Sequence, residues 1–112
     1  MGTVVTALAS VVSVVRRVEV FGDSMLPALR PGERLLVVRT RRARPGQLVV
    51  VRDPRVGNRT LVKRVVAREG KVVEVVGDNG AVSTDSAAFG PVPVRALVVY
   101  RYHPAHRAGR VR

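Results

Sequence analysis

Twenty-seven of the 112 residues are valine, and they fall in short runs broken by glycine, proline, asparagine and aspartate. A side chain branched at Cβ is stiff at χ1 and packs well on a pleated surface, so such runs favour strands over helices. The segments 17–21, 34–39, 47–52, 60–68, 71–76 and 94–102 are therefore expected to be strands. The breaks between them carry turn chemistry: Pro31-Gly32, Pro45-Gly46, Asp53-Pro54 with Gly57-Asn58, Glu69-Gly70, and Gly77-Asp78-Asn79-Gly80. No helical period intervenes. The expected fold is mainly β, a compact antiparallel barrel or sandwich.

A chain of this length closes one hydrophobic core. It has no cysteine, which excludes disulfides and thiol catalysis and fits a reducing compartment. Eight acidic residues and two histidines leave little material for a metal site. His103 and His106, three apart, lack carboxylate or thiolate neighbours, so neither a metal nor a cofactor is expected. The formal charge of +12 raises the possibility of nucleic-acid binding. The arginines are scattered, however, and two Phe and two Tyr give few rings for base stacking, so no specific nucleic acid is expected as a partner. The densest basic cluster, Arg39, Arg41, Arg42 and Arg44, reads as a solvated loop, with acidic lipid or an acidic substrate segment as the alternative ligand.

Residues 4–15 are uncharged and largely apolar. A membrane-spanning helix needs about twenty apolar residues, and a secretory signal carries its positive charge before the apolar stretch, whereas here Arg16 and Arg17 follow it. The segment is read as an element packed on the core, with contact to a membrane surface as the alternative. The expected organisation is an N-terminal apolar segment, 1–16, a β-rich domain, 17–103, and a loose basic tail, 104–112.

Lysine is scarce: two against eighteen arginines. Arginine stays protonated, whereas a desolvated lysine amine can lose its proton near neutral pH and act as a base. Side chains alternate along a strand, so Leu61, Lys63, Val65 and Ala67 share one face and Val62, Arg64, Val66 and Arg68 the other. If the first face packs inward, the Lys63 ammonium is disfavoured and the amine becomes a candidate general base. Ser24 has the complementary context. It stands in a turn after the first expected strand, with Gly22 allowing close backbone approach and Pro27 restricting Leu26, so its hydroxyl is open to substrate and neighbouring amides can face an oxyanion.

Three ordered segments carry a resemblance: Gly22-Asp23-Ser24-Met25-Leu26-Pro27-Ala28-Leu29-Arg30-Pro31-Gly32-Glu33, Lys63-Arg64-Val65-Val66, and Gly77-Asp78-Asn79 through Phe89-Gly90-Pro91-Val92-Pro93. They resemble the signature blocks of type I signal peptidases over residues 17–102. The compact length and the Phe-Gly-Pro-Val-Pro close look most like a small branch, the nickel-type superoxide dismutase maturation proteases. The resemblance implies a fold of the signal peptidase I catalytic-core type, with Ser24 as nucleophile and Lys63 as general base. It further implies that Ser83 orients the lysine amine, that Asp85 is a structural aspartate with Arg64 as its partner, and that Met25 lines the substrate site. Gly77, Asp78 and Asn79 look like the turn that returns Ser83 toward Lys63.

Two positions depart from the family pattern. Gly22 replaces a serine that often supplies an oxyanion donor, so the oxyanion hole is expected to be backbone-only, with the amide of Ser24. Ala87 replaces an arginine, which leaves Asp85 to rely on Arg64. The implied partner is a precursor with an extended N-terminal leader, namely that of nickel superoxide dismutase, and the implied location is cytoplasmic or peripheral to a membrane. Two other functions compete with this one: a general signal peptidase acting on exported proteins, and a non-catalytic basic nucleic-acid-binding module.

Overall fold

The computed structural model describes residues 15–80 and 89–111. Six strands follow one another: β1 Val15–Glu19, β2 Arg34–Arg39, β3 Leu48–Arg52, β4 Thr60–Glu69, β5 Val72–Val76 and β6 Val92–His103. A short 3-10 helix, Ala105–Arg107, follows β6. The expected strands at 34–39, 47–52, 60–68, 71–76 and 94–102 lie within two residues of those observed. The first begins two residues earlier than expected, at Val15.

All pairings are antiparallel, in the order β1-β2-β6-β3-β4-β5, and β5 returns to pair with the start of β6. That last pairing closes β3, β4, β5 and β6 into a circuit. The long β6 makes it possible. Its first residues, Val92 and Pro93, meet β5, its middle meets β3, and Ala96 to His103 pair with β2. The mainly β, antiparallel expectation holds, with a closed circuit extended by a β1-β2 flap.

The core divides in two because β3 is buried on both faces. Leu48 and Val50 join Val20, Met25, Leu29, Leu35, Val37, Ala96 and Val98 in one cluster. Val49 and Val51 join Ala43, Val65, Val73, Val75, Val92 and Val94 in the other. Alternation along one strand thus feeds two cores, and the uninterrupted Leu-Val-Val-Val run is what such a central strand requires. Asp53, fully buried, shapes the β3–β4 connection: its carboxylate accepts from the Arg55 backbone amide and guanidinium at 2.9–3.1 Å.

The C-terminal tail is docked, contrary to the loose tail expected from its composition. Arg101 and Gly109 exchange backbone hydrogen bonds of 2.8 and 2.9 Å, Val111 packs on the first core cluster, and Arg107 donates from Nε to Glu33 at 2.5 Å. Local polarity gave no hint of this, because the acid that receives Arg107 lies 74 positions earlier. Residues 1–14, and with them nearly all of the apolar N-terminal segment, lie outside the described residues. Among the described residues no helix is long and apolar enough to cross a membrane.

Candidate active site

Ser24 and Lys63 line the same cleft, a space of about 460 Å³ whose walls are residues 17–25 on one side and 59–63 on the other. The two walls come from different parts of the sheet. One is β1 with the turn that follows it, and the other is the first half of β4. Among the described residues β1 is paired only with β2, and β5 meets β4 only from Arg64 onward. The cleft therefore opens between two stretches of extended backbone.

Lys63 is 2% exposed. It lies opposite Val49 in the β3–β4 register, with Leu61 opposite Val51, so its face is the one that carries Val65 into the second core cluster. Val66 and Arg68, on the other face, are exposed. The face expected from alternation is thus the buried one, and the amine stands where water is scarce.

Ser24 is partly exposed and the neighbouring Met25 is 2% exposed in the first core cluster. Met25 packs in that cluster and also contributes to the cleft lining. The turn is tied internally by Leu26 N–H to Asp23 O at 3.2 Å and Leu29 N–H to Met25 O at 2.9 Å. Gly22 adopts φ +72°, and a Cβ added there would meet nothing within 4 Å. Glycine is needed for its backbone conformation and not, as the sequence had implied, for close approach.

Asn79, which follows β5, reaches the turn that carries Ser24. Its backbone N–H donates to Ser24 O at 2.9 Å and its Nδ2 to Asp23 O at 3.1 Å. The preceding Asp78 accepts from Arg64 Nε and Nη2, both at 2.8 Å, while Arg64 Nη1 donates to Gly46 O at 2.7 Å. The side chain after Lys63 therefore holds the turn whose next residue holds Ser24. The hydrogen bond to Asp78 is the largest influence on the Arg64 guanidinium and raises its pKa; burial opposes it, and the charge of the carboxylate adds a smaller push upward.

Arg64 pairs with Asp78, whereas the family resemblance implies Asp85 as its partner. Asp85 and Ser83 lie outside the described residues. Asp78 and Asn79 are the functional candidates that sequence reasoning passed over. Their signal in the sequence is the Gly77-Asp78-Asn79 run, whose polar side chains do more than form a turn.

Behind the same turn, Glu33 is 2% exposed. Its Oε1 accepts from Arg30 N–H at 2.8 Å and Arg101 Nη1 at 3.2 Å, and its Oε2 from Arg107 Nε at 2.5 Å. Burial pushes this carboxyl upward. The hydrogen bonds from Arg107 and Arg30, with the charges of Arg101 and Arg107, outweigh that and hold it below its ordinary value.

The other residues singled out from the sequence lie apart from the cleft. Arg39, Arg41, Arg42 and Arg44 are exposed around the β2–β3 connection. His103 ends β6 and His106 lies in the 3-10 helix, both exposed.

The sequence matches the family described as signal peptidase, peptidase S26, over residues 1–78, which includes Ser24, Lys63 and Asp78. It is also similar to the mitochondrial ATP-independent inner membrane protease subunit 1b of Arabidopsis thaliana. The two are 31% identical over 114 residues, covering 75% of this chain and 68% of that protein. With a serine and a buried lysine on one cleft of an all-antiparallel β fold, and a family match over more than half its length, the chain belongs to the peptidase S26 signal peptidase family.

Proposed function

We propose that the protein is a serine endopeptidase in which Ser24 is the nucleophile and Lys63 the general base, and that it removes an N-terminal leader from a precursor protein. The observation that supports this most is that a serine in an open turn and a buried lysine line one cleft between two extended segments. In the reading offered here, the Lys63 amine takes the proton of the Ser24 hydroxyl as Oγ attacks the scissile carbonyl. The backbone amide of Ser24 stabilises the oxyanion. Collapse of the tetrahedral adduct expels the new amino terminus, which takes the proton from Lys63, and water then hydrolyses the acyl-enzyme.

The cleft also bears on the kind of substrate. Residues 17–19 of β1 and 60–62 of β4 offer extended backbone on either side, which suits a peptide bound by strand addition. A flexible leader can adopt that conformation, whereas a folded loop cannot. The leader of a nickel superoxide dismutase precursor is the proposed substrate, on the strength of the three ordered sequence blocks and the Phe-Gly-Pro-Val-Pro close. The similarity to an inner membrane protease subunit favours a second reading, in which exported or sorted precursors are the substrates.

Incubating the purified protein with the nickel superoxide dismutase precursor and measuring the product mass tests both readings. Loss of one defined N-terminal segment, abolished by Ser24→Ala, supports the first. An intact precursor alongside efficient cleavage of exported-protein leaders supports the second. Intact substrates of both kinds would remove the peptidase assignment.

A further inference from the structure

We propose that the C-terminal segment is a clip that sets the position of the Ser24 turn, with Arg101 and Arg107 as positioning residues for catalysis. The inference rests on the reading of Ser24 as nucleophile and extends it to residues that touch neither substrate nor the reacting atoms.

The turn between β1 and β2 spans fourteen residues, 20–33, without regular secondary structure. A serine in such a segment keeps a fixed position only if the segment is held from outside. On one side Asn79 binds the carbonyls of Asp23 and Ser24. On the other, two guanidiniums from the chain terminus converge on two acceptors. Arg101 Nη1 donates to Ala28 O at 3.0 Å and to Glu33 Oε1 at 3.2 Å. Arg107 donates from Nη2 to Ala28 O at 3.4 Å and from Nε to Glu33 Oε2 at 2.5 Å. The two arginines are themselves coupled, because Arg101 Nε donates to Arg107 O at 2.6 Å.

The second acceptor distinguishes a positioning device from a simple anchor for the tail. An anchor needs only the buried carboxylate of Glu33. Ala28 O is a main-chain carbonyl between Met25 and Leu29, both buried in the first core cluster and joined by a hydrogen bond of 2.9 Å. Pulling on Ala28 therefore acts on Met25, the residue bonded to Ser24. A planar guanidinium can serve Glu33 and Ala28 together, whereas an ammonium is a single compact charge on a flexible stem. The arrangement makes the last residues of the chain part of what holds the nucleophile.

The test uses the full chain carrying Arg107→Ala, Arg107→Lys or Ser24→Ala, with kcat and KM measured on a cleaved leader peptide and amide hydrogen exchange measured alongside. In Arg107→Ala, kcat is expected to fall roughly ten- to hundredfold, because a displacement of about 1 Å is enough for that, with KM changed less than about threefold. The Leu26 and Leu29 amides should exchange faster while that of Val49 in β3 stays protected. Arg107→Lys should recover most of the thermal stability and leave kcat reduced. Wild-type kcat in folded Arg107→Ala, or exchange that rises equally in β3 and in the turn, would overturn the clip. If the wild type cleaves nothing, or Ser24→Ala still cleaves, the nucleophile assignment fails. The exchange pattern then still decides whether the tail holds the turn.

Discussion

Replacing Asp78 by alanine tests how the Lys63 strand and the Ser24 turn are joined. The substitution removes the acceptor of two charge-assisted hydrogen bonds from Arg64, each 2.8 Å long. The side chains are 21% and 18% exposed, so the pair falls between two regimes. Exposed pairs contribute about 0–1 kcal/mol, and breaking a buried pair costs about 3–5 kcal/mol. Bidentate geometry and low exposure place the cost near ~2 kcal/mol, softened because Arg64 retains Gly46 O. For a domain of this size that is a Tm decrease of about 8 °C. Arg64→Ala should cost more, since it also strips the Gly46 carbonyl of its donor. Urea denaturation of both single variants and the double variant should give a coupling of about 1.5–2 kcal/mol. Peptidase activity should fall with Asp78→Ala even where the protein is fully folded, because Asn79 loses its purchase on the carbonyls of Asp23 and Ser24. A coupling below about 0.5 kcal/mol, or wild-type kcat in folded Asp78→Ala, would refute the reasoning.

Ser24→Ala, Lys63→Ala and Lys63→Arg should each abolish cleavage by mass-spectrometric assay with the β fold retained by circular dichroism, since arginine keeps the charge but accepts no proton; near wild-type turnover in Lys63→Arg would exclude a lysine base. The cleavage rate should rise with pH as the Lys63 amine deprotonates, with a midpoint well below the ordinary lysine value of about 10.4 because burial disfavours the ammonium, and a flat profile from about pH 6 to 10 would count against it. Glu33 has a folded-state pKa below its unfolded one, so its stabilisation is present above the unfolded value and is lost as pH falls through the folded value. Glu33→Gln should therefore flatten the acid side of a Tm-against-pH curve below about pH 4.3, the ordinary glutamate value. Gly22→Ser should destabilise by about 1–2 kcal/mol, because φ +72° is costly for a residue with Cβ; unchanged urea stability would show that the turn relaxes.

The elements and the inward face of Lys63 were legible along the chain alone. Valine runs and turn residues are local signals, read over a few positions, and they locate all six described strands within two residues. Period-2 alternation on β4 was enough to put Lys63 inward with Val65 and Arg68 outward, because that choice depends only on which neighbours are apolar. The pairing of Ser24 with Lys63 came from the resemblance and not from periodicity, since nothing local relates a turn to a strand 39 positions later. The fold alone brings the two to one cleft, where the turn after β1 faces the first half of β4 although, among the described residues, β1 and β4 do not pair. It also decided that Arg64 reaches Asp78, 14 positions on, and that Arg107 reaches Glu33, 74 positions back. A basic tail and a lone acid look solvated when read alone. In the fold they are partners, because a buried carboxylate must find donors, and the last strand and the 3-10 helix after it each deliver a guanidinium to it.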